Sequence, residues 1–137
     1  MKIAVVDGQG GGIGKALVER LRKEFAGDAE ILALGTNALA AALMIKAGAD
    51  EGASGENAIV YNAGKVEAIV GPMGIIVANA MLGELTPAMA AAISESPAKK
   101  VLIPLNRCNI AVAGVGDESL PQLVEAAVTI LRTHFQK

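Results

Sequence analysis

The run Asp7-Gly8-Gln9-Gly10-Gly11-Gly12-Ile13-Gly14-Lys15 places five glycines in seven consecutive positions. Glycine lets a chain turn through positive φ, and it lets backbone N–H groups approach a ligand with no Cβ in the way. A helix that opens at the end of such a run turns its positive pole toward it. The chemistry this combination suits is the grip of an anion, above all a phosphate. Gly8, Gly12 and Gly14 fit a G-x-x-x-G-x-G spacing. The commoner G-x-G-x-x-G fails, because counting from Gly8 and Gly10 the third place is Ile13. Lys15 falls in the first turn of the expected helix, where a cation opposes the dipole by ~0.3–1 kcal/mol. A bound phosphate would reverse that sign, while the plain reading of Lys15 is a solvated side chain.

Other residues with chemical potential fall in short loops. Gly35-Thr36-Asn37 follows the second apolar run. A dinucleotide fold ordinarily carries an acid there for the ribose hydroxyls, and none is present. Thr36 and Asn37 are the neutral partners left for a ribose, and Asn37 serves equally as a helix cap. Asp7 ends the first apolar run and would repel an anion unless it bonds loop N–H groups or holds a cation. Gly71-Pro72-Met73-Gly74 forms a further loop. In Asn106-Arg107-Cys108-Asn109, Arg107 is a candidate clamp for a second anionic group. Cys108 is a candidate nucleophile beside that cation. No histidine lies near it in sequence, and the plain reading is a partly buried turn thiol. The set expected to bind a cofactor is Gly8, Gln9, Gly10, Gly11, Gly12, Ile13, Gly14, Thr36, Asn37, Gly71, Asn106 and Arg107. No metal site is expected. Were Mg²⁺ needed, only Asp7, Glu56 and Glu84 offer themselves. Asn79 lies within an apolar stretch and needs hydrogen-bond partners if buried.

These residues need elements to position them. Residues 3–6 form a short continuous apolar run, the mark of a strand covered on both faces. Ala16, Leu17, Leu21 and Phe25 recur at helical spacing and end near Gly27. A second strand spans 31–34, and an alanine-rich helix follows, stopping near Gly48. Residues 50–53 suit a third strand, 56–64 a helix, and 67–70 a fourth strand. Residues 75–82 are apolar almost all round and suit a buried helix. Thr86-Pro87 caps another helix running to about 95. Residues 100–105 form a fifth strand. The four-residue loop that follows is too short for a crossover, so 110–115 is expected to return antiparallel as an edge strand. A last helix starts at Asp117 or Ser119. Alternation of this kind predicts an α/β three-layer, Rossmann-like domain over residues 1–137, with a mostly parallel sheet of order 3-2-1-4-5 and an antiparallel edge strand. The glycine loop and the other unusual loops then gather at the carboxyl edge of the sheet, where ligands bind in such folds.

Composition narrows the function. Twelve basic against fourteen acidic residues among 137 give a net charge of −2. That offers no electrostatic footprint for nucleic acid. One tyrosine, two phenylalanines and no tryptophan leave few platforms for base stacking. One cysteine excludes an intramolecular disulfide, and one histidine excludes a His-rich metal centre. The hydrophobic fraction is 53%. The longest uncharged runs nevertheless fall short of the ~20 residues of a spanning helix, so no membrane partner is expected. A strand opening right after Met1 argues against a secretory signal and for a cytoplasmic setting. The apolar excess predicts a homodimer.

The run from 2 to about 110 resembles a short uncharacterised bacterial family, a domain of unknown function. The resemblance rests on Asp7–Lys15, Leu34-Gly35-Thr36-Asn37-Ala38-Leu39, Ser54-Gly55-Glu56-Asn57-Ala58 and Pro104-Leu105-Asn106-Arg107-Cys108-Asn109. It implies a single Rossmann-like domain and brings no catalytic residues. More distantly, the first third is similar to the NAD(P)-binding Rossmann superfamily, and its glycine spacing is that of short-chain dehydrogenases. Tyr61 and Lys65 spell Y-x-x-x-K and Asn62-Ala63-Gly64 spells N-A-G, but in those enzymes the two motifs lie on different elements. Gly11-Gly12-Ile13-Gly14-Lys15-Ala16 is similar to the deviant Walker loop of partitioning ATPases. It lacks the signature lysine (Gly10) and the Mg²⁺-binding hydroxyl (Ala16). The expectation is a nucleotide- or dinucleotide-binding protein, such as a sensor or regulatory module, with NAD or NADP as candidate cofactor and other nucleotides open. The alternatives are a small NAD(P)-dependent oxidoreductase and an ATP hydrolase with a degenerate P-loop.

Overall fold

A computed structural model describes residues 1–105 and 109–136. Five strands, β1 (Lys2–Asp7), β2 (Glu30–Gly35), β3 (Glu51–Ser54), β4 (Ala68–Pro72) and β5 (Lys99–Ile103), form one sheet of order β3-β2-β1-β4-β5. Every pairing is parallel, with Ile3 opposite both Ile31 and Ala68. Helices α1 (Gly12–Phe25), α2 (Ala38–Ala47), α3 (Glu56–Ala63), α4 (Pro87–Glu95) and α5 (Leu120–Phe135) supply the outer layers.

The continuous apolar strands follow from this layering. Ile3 and Val5 pack with Leu17 and Leu21 of α1, Met44 of α2 and Val128 and Leu131 of α5. Ala4 and Val6 point the other way, toward Ile59 of α3 and Met89 and Ile93 of α4. Both faces of β1 are therefore dry, and alternation of polar with apolar residues would leave polar groups buried. The helix starts obey cap chemistry. Asn37 Oδ1 accepts from the Ala40 amide at 2.8 Å. Thr86 Oγ1 accepts from Met89, and Ser119 Oγ from Gln122, each with proline in the first turn that follows.

The amino edge of the sheet is fastened by Arg22. Its guanidinium donates to the carbonyls of Gly48 (3.0 Å), Ala26 (2.7 Å) and Ala29 (3.0 Å) and to Asp50 Oδ2 (2.6 Å). The same Asp50 oxygen accepts from the Ile31 amide at 2.8 Å. Across α1 and α5, Glu24 lies between Arg20 (3.0 Å) and Arg132 (2.8 Å), and Arg20 also reaches Glu125 (2.8 Å).

Two expectations need correction. The antiparallel edge strand at 110–115 does not form. The described part of this stretch runs as loop and turn, with Gly114 at φ 88° and the Val115 amide donating to the Val112 carbonyl. That turn folds the segment on itself, so β5 is the outermost strand on its side. The buried helix at 75–82 is also absent. A short 3₁₀ turn over Met73–Ile76 leads into a strap of turns over 77–85, with Asn79, Met81, Leu82 and Gly83 all at positive φ. A helix apolar all round needs cover on every side, and here Leu82 is 98% exposed. The strap instead buries Ala80 and Leu85 in the core and packs Val77 and Met81 against it.

Candidate functional site

The sheet order reverses between β1 and β4, so the carboxyl ends of these strands part and leave a crevice. The glycine run lies above it. The run is a tight turn over residues 8–11, closed by the Gly11 amide on the Gly8 carbonyl at 2.9 Å. Gly12 and Gly14 already belong to the first turn of α1. Asp7 is buried beneath. Its Oδ1 accepts from the Gly8 amide (2.8 Å) and its Oδ2 from the Gly14 amide (2.7 Å). It thus satisfies one of the orphan donors at the helix start.

The five glycines divide into two groups. A Cβ on Gly8 would collide with Thr36 Oγ1 and lie 2.6 Å from Met81 Sδ. One on Gly14 would run into Met44 and lie 2.9 Å from Asp7 Cβ. Gly11 sits at φ 75° with its missing Cβ against Ala40. The fold accounts for these three. Among the described residues a Cβ on Gly10 or Gly12 would meet nothing within 4 Å, and neither residue has positive φ. The described residues make no demand for glycine at either place.

Gly10 and Gly12 line a crevice of about 270 Å³ with Asp7, Gly8, Gln9, Gly11 and Ile13, walled by Pro72, Met81 and Leu120. Among the described residues, no hydrogen bond is made by the amides of Gly10, Gly12 or Ile13. Three donors at the positive end of α1 are therefore available to an oxyanion.

Thr36 and Asn37 stand on the other side of the turn and do not line the crevice. They converge on Glu84 from the strap. One carboxylate oxygen, Oε1, accepts from Thr36 Oγ1 (2.7 Å), Asn37 Nδ2 (2.9 Å) and the Gln9 amide (2.9 Å). Asn37 Nδ2 also donates to the Gln9 carbonyl at 3.0 Å, holding Gln9 at φ 49°. These donors hold the Glu84 carboxyl below its ordinary pKa, the Thr36 hydroxyl first, then the Gln9 amide and Asn37, while burial opposes them. The carboxylate missing after β2 is thus supplied in space by a residue 48 positions further along.

Of the remaining sequence-derived candidates, Gly71 lies within β4, where a Cβ would strike the Val6 carbonyl oxygen, and it does not line the crevice. Lys15 is exposed and pairs with Glu19 at 3.9 Å. Tyr61 and Lys65 form a surface cation–π pair at 3.8 Å at the opposite edge of the sheet. Asn106, Arg107 and Cys108 lie outside the described residues. No group of His, Cys, Asp and Glu able to hold a metal occurs among the described residues. No helix among them is long and apolar enough to cross a membrane. Of the crevice walls, Pro72 belongs to a loop expected at this edge, while Met81 and Leu120 come from distant elements and carry no signal in the sequence.

No curated protein matches the chain. Among solved structures it is similar to a dodecameric FMN-dependent UbiX-like decarboxylase from Escherichia coli O157:H7, at 14% identity and TM-score 0.46, over 100% of this chain and 95% of that one. The model of the domain of unknown function DUF3842 matches residues 2–136, and the chain belongs to that family.

Proposed function

We propose that the protein binds a phosphate-bearing small molecule of the nucleotide class in the crevice between β1 and β4. The observation that carries this reading is that, among the described residues, nothing requires glycine at 10 or 12, and three amides at the same place lack acceptors. Gly10, Gly12 and Ile13 would hold the phosphate. A crevice of about 270 Å³ accommodates a phosphate and the group next to it, so most of a nucleotide would extend along the rim. Arg107, three residues beyond the Pro104 that follows β5, supplies a cation for a second anionic group in this reading.

A thermal-shift panel of inorganic phosphate, ADP, ATP, NAD, NADP and FMN tests the proposal. A ligand at ~100 Kd stabilises by ~2.7 kcal/mol, a rise of about 9 °C for a chain with an unfolding entropy of about 0.29 kcal/mol/K. Gly12→Val should abolish the response. A variant that responds like the parent would place the ligand elsewhere.

The same reading includes self-association. Leu39 (68% exposed) and Ile45 on α2, with Tyr61 (61% exposed) on α3, flank the short outermost strand β3. Covering that apolar surface with a second copy gives it a partner. Sedimentation as a monomer at tens of micromolar, roughly where ordinary assemblies are complete, would refute the dimer.

A further inference from the structure

The strap over residues 77–85 presents two side chains to the glycine turn. Met81 forms a wall of the crevice. Glu84, three residues on, occupies the donors of Gln9, Thr36 and Asn37. Between them these two side chains separate the crevice from the end of β2.

The strap is bonded mostly to itself. The Asn79 amide donates to the Leu85 carbonyl (2.7 Å), Gly83 to Asn79 (3.1 Å), Glu84 to Met81 (3.1 Å) and Leu85 to Ala80 (3.1 Å). Among the described residues, every hydrogen bond from the strap to the glycine turn and the end of β2 falls on a single atom, Glu84 Oε1. Met81 and Leu82 hold left-handed conformations that side chains with a Cβ resist, and Asn79 one that asparagine tolerates. Leu82, at the strap's tip, is almost wholly exposed and packs on nothing. Ala80 and Leu85 anchor the strap in the core, and one carboxylate oxygen fastens its Met81–Glu84 tip to the glycine turn by filling a site of three convergent donors. Such a donor set suits the oxygen of any anion equally well.

We infer that Glu84 is a resident competitor for the ligand, and that the strap is displaced when a phosphate-bearing molecule binds. The inference rests on the anion site proposed above. The ligand's first phosphate would lie on the Gly10, Gly12 and Ile13 amides. A second acceptor group would replace Glu84 Oε1 on the Gln9 amide, Thr36 and Asn37. Moving Met81 aside would join the crevice to the end of β2 and make room for a larger molecule than the closed form admits. Thr36 and Asn37 then become ligand contacts only in the open form.

The test uses ADP as a two-phosphate probe and inorganic phosphate as a one-phosphate probe, titrated at fixed ionic strength. The proteins are the parent, Glu84→Gln, Glu84→Ala and Gly12→Val. Removing the competing charge should tighten ADP binding about tenfold, the scale of one relieved like-charge repulsion at a partly exposed site. Inorganic phosphate, which does not reach Glu84, should gain less. Amide hydrogen exchange on the parent protein should accelerate over residues 79–85 when ADP binds. Weaker or unchanged ADP binding in Glu84→Ala, or slower exchange in the strap, overturns displacement. If Gly12→Val alone abolishes binding in that case, the anion site stands and only the competitor role fails. If Gly12→Val binds ADP like the parent, or no protein binds either probe, the site and the inference fall together.

Discussion

Replacing Gly12 and Gly14 by alanine, one at a time, separates a glycine kept for a ligand from one kept for the fold. Both lie in the first turn of α1, two residues apart. At Gly12 the new methyl group meets nothing within 4 Å among the described residues. The substitution then acts through the unfolded chain, whose lost freedom stabilises by about 0.4–1 kcal/mol. At ~2.1 cal/mol/K per residue, 137 residues give an unfolding entropy of about 0.29 kcal/mol/K, so the melting temperature should rise by about 1.5–3.5 °C. At Gly14 the methyl runs into Met44, 3.0 Å from its Cγ, and lies 2.9 Å from Asp7 Cβ. Overpacking of this kind costs ~1–3 kcal/mol, which the same chain effect offsets only in part. The net loss of about 0.5–2.5 kcal/mol should lower the melting temperature by about 2–9 °C. Calorimetry of the two variants beside the parent reads the opposite signs directly. A fall for Gly12→Ala matching that for Gly14→Ala would mean the fold does require glycine at 12, and the main argument for a ligand would be lost.

Two further outcomes follow from the contacts. Asp7→Ala leaves the Gly8 and Gly14 amides without their acceptor. At ~1–3 kcal/mol for each stranded donor, stability should fall by about 2–6 kcal/mol, measured as the shift of the urea midpoint; a change below 1 kcal/mol, roughly the effect of an ordinary surface substitution, would contradict the capping role. Arg132, and after it Arg20, lower the Glu24 carboxyl from 4.5 to about 2. Its folded pKa is depressed, so the stability it contributes is complete above about 4.5 and drains away as pH falls toward about 2. Denaturation midpoints taken across that window should drop with acid in the parent and drop less in Glu24→Gln. Equal slopes would show that the pair adds nothing.

Much of the fold was legible because its signals are local. Both faces of β1 are buried, so Ile3 to Val6 read as an unbroken apolar run. Thr86-Pro87 announced α4 to the residue, and Ser119 opened α5. The strap was misread because helix and irregular backbone look alike in a short apolar stretch. What decides between them is whether Leu82 has cover, and cover is tertiary. The return strand at 110–115 failed for a related reason. Apolar residues there satisfied the strand pattern, but the Ala113-Gly114 turn takes the chain back on itself. The glycine run was visible as a ligand signal, yet sequence could not tell Gly10 and Gly12 from Gly8, Gly11 and Gly14. That distinction depends on Thr36, Met44 and Ala40, which arrive from other elements. Glu84 had no spacing to betray it, since the groups it accepts from belong to two earlier loops.

Arg22 makes the two rims of the sheet mechanically unequal. A single planar side chain ties the end of α1, the exit of α2 and the entrances of β2 and β3 into one knot. Loss of the Arg22 guanidinium breaks all of these bonds at once. The carboxyl rim is tied instead by the Glu84 carboxylate, which joins the strap to the loops after β1 and β2. A substitution at Arg22 would therefore loosen several connections of the amino rim at once and leave the Glu84 junction untouched.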